Sequence, residues 1–363
     1  MEILKREQAQ FDEISLGEVM LRLDPGDIRV KSARTFATWE GGGEYNVAKG
    51  LRHCFGMRTA IVTAFADNDI GKLIESLIMQ GGVDTRYVSW YKFDGIGREV
   101  RNGLNFTERG FGLRGAVGIS DRGNTAASKL RRDSINWDDI FSKGVRWFHT
   151  GGIFAALSEN TPEVIEAAMV SAKKHKTRIS YDLNYRPSLW KSNGGQKKAQ
   201  EVNQKLVNYV DVLIGNEEDF TESLGFEVKG QTSNYSEINK DSYAHMVKKV
   251  VATYPNLEIV ATTLRNVHTA SLNDWSAILW SKNQGLIESK LYEKVEVLDR
   301  VGSGDSFASG LIYGILDGRN LQESLELGVA HGALAMTTPG DTSMATLREV
   351  EKLAKGSSAR VER

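Results

Sequence analysis

Short apolar runs alternate with stretches whose apolar residues recur every three or four positions. A strand is predicted over 13–23 (EISLGEVMLRL), with Gly17-Glu18 inside it, then a DPGD turn and a further strand pair over 28–39. In 41–56, GGGEYNVAKGLRHCFG, helical spacing puts Val47, Ala48, Leu51, Cys54 and Phe55 on one buried face. TAIVTAF (59–65) has the continuous apolar character of a strand covered on both faces. A helix follows over 69–80 and stops at Gly81-Gly82. From residue 147 the alternation predicts strands at 147–150, 178–182, 212–214, 258–263, 276–279 and 286–297. Helices are predicted at 162–174, 197–209, 243–252, 305–316 and 321–336, and a polar surface excursion at 224–241.

Residues 83–125 break this rhythm. Val88, Trp90 and Tyr91 open a set of short segments rich in glycine and arginine, to which no helical period fits. They predict a small antiparallel sheet inserted in the α/β pattern. Repeated strand–helix units in one chain predict a mainly parallel sheet with helices on both faces. Ligands of such sheets bind beyond the carboxyl ends of the strands. The loops expected there are 41–46, 182–190, 216–219, 263–268 and 299–305.

Composition narrows the picture. The chain has 363 residues, 40% hydrophobic and 26% charged, with a net charge of −1. Such a chain has no field to gather nucleic acid or an anionic membrane, and no apolar run approaches spanning length. One cysteine, Cys54, allows no internal disulfide, and MEILKREQAQFDE lacks a signal core. The expectation is a cytoplasmic protein.

For chemistry, the sequence contains no GxxxxGK[ST] loop, no GxGxxG after a first strand, and no CxxC, HExxH or GxSxG. It does contain Gly302-Ser303-Gly304-Asp305 ahead of a helical pattern. A glycine loop feeding a helix N-terminus presents free N–H groups and a favourable dipole to an anion. A carboxylate there repels an anion unless it has another task, such as taking a proton from a hydroxyl. Taken alone, Asp305 reads as a helix N-cap. Likewise, Gly41-Gly42-Gly43 with Asn46 is either a tight turn with a cap or a backbone surface for a polar ligand.

Together, GGGEYNVAKGL, DRVGSGDSFASGL and the inserted sheet, in that order, resemble the ribokinase-like (PfkB) carbohydrate kinases over nearly the whole chain. DLNYRPSLW and GLNFTERG…DRGNTA look most like the 2-keto-3-deoxygluconate kinases of that family. The resemblance implies a three-layer α/β/α fold with a mainly parallel central sheet and a small inserted antiparallel β lid. The core would comprise 1–21, 41–90 and 123–363, and the lid 22–40 and 91–122, pairing with a second copy in a homodimer. It implies phosphoryl transfer from ATP to the hydroxyl of a sugar acid, giving a 6-phosphate. Asp305 would be the catalytic base, and the amides of Gly302, Ser303 and Gly304 the anion hole.

On the same resemblance, Gly41, Gly42, Gly43 and Asn46 would hold the sugar. Arg186, with Arg109 and Arg122 of the inserted sheet, would be candidates for the substrate carboxylate. Asn105 stands where relatives often carry a tyrosine. Asn216 and Asp219 resemble an N-x-x-E motif that organises Mg²⁺ and phosphate through water, with Asp in place of Glu; a helix cap is the alternative. Thr263 and Arg265 would lie in the nucleotide loop, whose usual glycines are replaced by Arg265 and His268. The 329–340 segment, with His331 and Gly332, would line the adenine pocket. Asp299 and the backbone after it would be a candidate site for K⁺. Two other readings stay open: a kinase of another sugar, such as fructose or another keto-sugar acid, and a sugar-binding regulator that has lost catalysis.

Overall fold

The computed structural model describes residues 2–226 and 240–356. The first strand, β1 (Phe11–Leu16), does not continue to residue 23. Across Gly17-Glu18 the chain leaves one sheet and enters another as β2 (Met20–Asp24). The bend is closed by a residue distant in the chain: a Cβ on Gly17 would stand 2.4 Å from the Glu44 carboxylate, which packs across it. The strand pair expected over 28–39 is instead one 3₁₀ turn (Val30–Ser32) and one strand, β3 (Ala37–Gly41), which runs into α1 (Gly43–His53). Next come β4 (Thr59–Ala66), α2 (Asp69–Gln80) and β5 (Asp84–Tyr91). Val88, Trp90 and Tyr91 therefore belong to the edge of the large sheet, parallel to β4, and do not open the small one.

The small sheet is completed by β6 (Leu104–Glu108) and β7 (Val117–Asp121), in the order β3-β2-β6-β7. Its outer pairs are antiparallel and its middle pair, β2 with β6, is parallel. Then follow α3 (Trp137–Ser142), β8 (Val145–Gly151), the short α4 (Gly152–Ala155), α5 (Thr161–Lys174) and β9 (Arg178–Asp182). The short α6 (Pro187–Trp190), α7 (Gly195–Val207), β10 (Val212–Asn216) and α8 (Glu217–Leu224) continue the pattern. The excursion expected over 224–241 falls mostly outside the described residues. After α9 (Lys240–Thr253) a hairpin, β11 (Ile259–Thr269) and β12 (Leu272–Ser281), leads to β13 (Gly285–Glu288) and β14 (Tyr292–Glu296). Helices α10 (Ser303–Leu316), α11 (Leu321–Ala335) and α12 (Leu347–Ala354) end the fold.

The large sheet runs β13-β12-β11-β10-β9-β8-β1-β4-β5, with β14 on β12. From β11 to β5 all neighbours are parallel, while the pairs made by β12 are antiparallel. Alternation sends its side chains to opposite faces, where they join three cores, the third formed by Ile61 and Phe65 with α1 and α2. Phe148, Ile14 and Val62 face α5 and α7, whereas Trp147, Val212 and Ile214 face α1, α10 and α11. Glycines let α10 and α11 meet backbone to backbone. A Cβ on Gly310 would lie 2.7 Å from Leu327 O, and one on Gly328 would lie 2.9 Å from Phe307 O. Cys54 is buried in this second core, and burial pushes its thiol up to about 12.

Candidate active site

The carboxyl ends of the parallel strands and the N-terminus of α10 face a common cleft of about 1090 Å³, roofed on one side by the small sheet. Gly42, Gly43, Asn46, Asn105, Arg122, Arg186, Asn216, Asp219, Thr263, Arg265, Gly302, Ser303, Gly304 and Asp305 all line it. Residues from seven separate stretches of chain are thus brought together.

At its centre, α10 begins two residues earlier than its apolar spacing suggests. Gly302 is the N-cap, at φ 78°, so the N–H groups of Ser303, Gly304 and Asp305 occupy the first turn, where no intrahelical acceptor exists. A Cβ on Gly302 would fall 1.8 Å from Asp341 O, so sterics and φ both demand glycine. A Cβ on Gly304 would meet nothing within 4 Å, so that turn lies open to the cleft. Asn46 Nδ2 donates to Asp305 Oδ2 at 2.7 Å. Burial pushes the Asp305 carboxyl up to about 6; the Asn46 bond opposes the shift and Asp341 adds to it. A carboxylate tuned near neutrality beside free helix amides can accept a proton next to a bound anion.

Gly42 and Gly43 join this centre from α1. A Cβ on Gly42 would strike Glu18 O at 1.9 Å, and one on Gly43 would lie 3.5 Å from Asn184 Nδ2 and 3.7 Å from Asp305 Oδ1. From the small sheet, strand alternation aims Gly118, Ser120 and then Arg122 at the cleft. Asn105 pairs across from Ser120 and accepts from its hydroxyl at 3.2 Å. Arg122 meets Glu18 Oε2 at 2.5 Å. Arg186 is exposed at the cleft mouth, donates to Tyr185 O at 2.9 Å, and forms no ion pair among the described residues. Its charge favours the ionised forms of Asp182, Asp219 and Asp305.

Farther along, Asn216 and Asp219 form a capping box on α8. Asn216 Oδ1 accepts from the amides of Glu218 and Asp219, and Asp219 Oδ2 accepts from Asn216 N at 2.9 Å. Asp219 Oδ1 accepts from Tyr185 N at 2.8 Å, so backbone already takes both its oxygens. The helix-cap alternative accounts for these contacts. Among the described residues no group of three His, Cys, Asp or Glu could cage a metal. The carboxylates of Asp182 and Glu218 do line the cleft, a donor set suited to a hydrated Mg²⁺ carried by phosphates.

Thr263 and Arg265 lie in β11, not in a loop. With Arg265 and His268 where glycines would turn the chain, it stays extended and pairs with β12. Arg265 Nη2 donates to Ser303 Oγ at 2.6 Å, and the guanidinium lies 5.1 Å from the Trp275 ring centre.

Five expected site residues lie off the cleft. Gly41 packs against Asp341, whose Oδ2 would be 2.0 Å from a Cβ there. Arg109 pairs with Asp24 at 3.3 Å. Asp299 is 2% exposed. Its Oδ1 accepts from Val301 N, and its Oδ2 from Gly340 N and the Arg22 guanidinium, so the residues do not fit K⁺ there. His331 is fully buried, with Nδ1 2.9 Å from Ser306 O and from Ser309 Oγ. Gly332 packs on Ser303 O and Trp275. His331 and Gly332 thus serve the α10–α11 contact, and 329–340 contributes nothing to the cleft lining. Sequence reasoning missed Asp182, Asn184, Ser120, Glu218, Arg300 and Asp341 as lining residues. Asp182 and Asn184 stood in a loop already singled out, whereas Asp341 follows α11 with no motif to mark it.

The chain is similar to known proteins over almost its whole length. The chain is 35% identical to the crystal structure of 2-dehydro-3-deoxygluconokinase from Thermotoga maritima, with a TM-score of 0.86, covering 96% of this chain and 100% of that one. It is 25% identical over 351 residues to a 2-dehydro-3-deoxygalactonokinase of Haloferax volcanii (96% of this chain, 98% of the relative). It is also 25% identical over 355 residues to a 5-dehydro-2-deoxygluconokinase of Bacillus licheniformis (97% and 98%). The model of the pfkB family carbohydrate kinases matches residues 14–347, and the chain belongs to that family.

Proposed function

We propose that the protein phosphorylates 2-keto-3-deoxygluconate at its terminal hydroxyl, using ATP. The observation that carries this reading is the pairing of Asp305, held by Asn46 and tuned to about 6, with the open N-terminal amides of α10. The names of the three relatives given above, each a kinase of a deoxy keto sugar acid, support the substrate class.

The sugar would lie against Gly42 and Gly43 under the lid face of Asn105, Ser120 and Arg122. Arg186, free of ion pairs among the described residues, would take the carboxylate, for which its planar fork is matched. The terminal hydroxyl would then approach Asp305, which takes its proton as the hydroxyl oxygen attacks the γ-phosphorus and the bond from that phosphorus to the β-phosphate oxygen breaks, releasing ADP. The amides of Ser303, Gly304 and Asp305 would stabilise charge on the transferring group. ATP would run along Thr263 and Arg265 towards Val301. Mg²⁺, carried by the ATP phosphates near Glu218 and Asp182, would neutralise charge on them.

The lid supports a homodimer. Strand β7 is exposed along its length, with Val117 and Ile119 37% and 46% exposed, and an open edge of this kind invites a second copy. A monomer by light scattering at micromolar concentration would defeat the dimer. The function is tested by coupled-assay ATP consumption with a panel of sugars and sugar acids. Turnover on 2-keto-3-deoxy sugar acids well above that on fructose or ribose is expected. Preference for a neutral sugar would overturn the substrate, and sugar binding without turnover on any compound would overturn the kinase.

A further inference from the structure

Strand β2 of the lid turns Met20, Arg22 and Asp24 to its inner face. Met20 reaches the cleft, whereas Arg22 is fully buried. Its guanidinium bridges three carboxylates: Nη2 meets Asp24 at 3.0 Å and Asp299, and Nη1 meets Asp341 at 2.5 Å. Asp24 also receives Arg109. These partners bracket the anion loop. Asp299 stands three residues before Gly302, and the carbonyl of Asp341 is the atom that Gly302 packs against. A buried group of three carboxylates is costly unless cations balance it. A metal ion at these carboxylates would have to share them with a guanidinium that already contacts all three, and Asp299 also accepts from the amides of Val301 and Gly340.

We propose that Arg22 is the resident cation of the anion loop. Its guanidinium fills, at Asp299 and Asp341, the role a monovalent metal ion would have, and the enzyme therefore needs no such ion. Arg22 touches no substrate; it is a positioning residue that ties the lid strand to the two backbone segments flanking Gly302. The inference rests on the reading of the cleft as a phosphoryl-transfer site. It replaces the expectation of K⁺ at Asp299 with a side chain that cannot dissociate.

The test compares the full chain in potassium chloride and in tetramethylammonium chloride at equal ionic strength, by melting temperature and by turnover of a 2-keto-3-deoxy sugar acid. Wild type should show the same melting temperature and rate in both. Arg22→Ala should lose kcat by on the order of 10-fold or more, with a smaller change in KM for ATP. Millimolar guanidinium or K⁺ should recover part of its kcat and raise its melting temperature. Arg22→Lys keeps the charge but lacks the fork that spans three carboxylates, and should lie between the two. A K⁺-specific, saturable rise in wild-type melting temperature or rate would overturn the proposal. So would a folded Arg22→Ala with unchanged kcat, or one whose loss neither cation repairs. If Arg22→Ala does not fold, the wild-type salt comparison and Arg22→Lys decide. Absence of turnover on every sugar acid would sink the kinase reading alone, because the melting comparison needs no substrate.

Discussion

Replacing Asp305 by Asn should remove activity and add stability at once. Asn keeps the shape and can still contact Asn46, but it cannot accept the hydroxyl proton. General-base catalysis contributes typically ~10²–10⁴-fold, so kcat should fall by that amount, about 3–5 kcal/mol in barrier, with KM for ATP little changed. The stability effect follows from the carboxyl being pushed from 3.8 to about 6 by burial and by Asp341. The folded state then holds its proton more tightly than the unfolded state. Stability is greatest below about 4, falls as pH rises to about 6, and stays at the lower level above. The gap of about two pH units, at ~1.4 kcal/mol each, makes the ionised group cost up to about 3 kcal/mol at pH 7. Asn carries no such cost. Urea melts at pH 7 and pH 4.5 should show the variant more stable at pH 7, by up to about 3 kcal/mol, and the gap cut to about 1 kcal/mol at pH 4.5. The wild-type kcat/KM should drop about tenfold per unit below pH 6. Near-normal kcat in the variant, or a variant less stable at pH 7, would refute the role and the electrostatics respectively.

Arg186→Ala should raise KM for a sugar acid by on the order of 10–100-fold, as loss of a charge-assisted pair does, while leaving KM for ATP nearly unchanged; steady-state kinetics with both substrates checks the split. Gly302→Ala forces a Cβ to 1.8 Å from Asp341 O at φ 78° and should cost more than ~3 kcal/mol by urea melt, with loss of activity. Glu44 is held up to about 7, first by burial and then by Asp305, so its stability contribution also falls as pH rises from about 4.5 through 7. Glu44→Gln should therefore gain up to about 3 kcal/mol at pH 8 and show a flatter melting temperature between pH 5 and 8. The gain should not add fully to that of Asp305→Asn, because the two carboxyls repel one another.

Local patterns carried much of the fold. The apolar periods of 69–80 and 59–65 became α2 and β4, and the glycine-rich loops before α1 and α10 reached the cleft. The failures share a cause: contacts between distant residues. An apolar pattern running through Gly17-Glu18 looks continuous, and only the packing of Glu44 turns it from one sheet to the other. The extended course of 263–268 depends on pairing with β12, which spacing alone does not reveal. Helices α3 and α12 are too short for a period to show. His331 sits in a stretch whose order in the chain suggests nucleotide, but its ring fills the space beside Ser306 and Phe55. Arg22 and Asp341, 319 residues apart, meet with no motif to announce either.

Cys54, sealed in the second core with its thiol pushed up to about 12, also has a practical consequence. The thiolate is the reactive form, so at neutral pH this residue should ignore maleimide reagents. The protein is therefore a ready cysteine-silent background. Leu113→Cys, at a position fully exposed in the β6–β7 connection, would carry a fluorophore on the small sheet, and any response of that sheet to added sugar could be read directly without first stripping the chain of its native thiol.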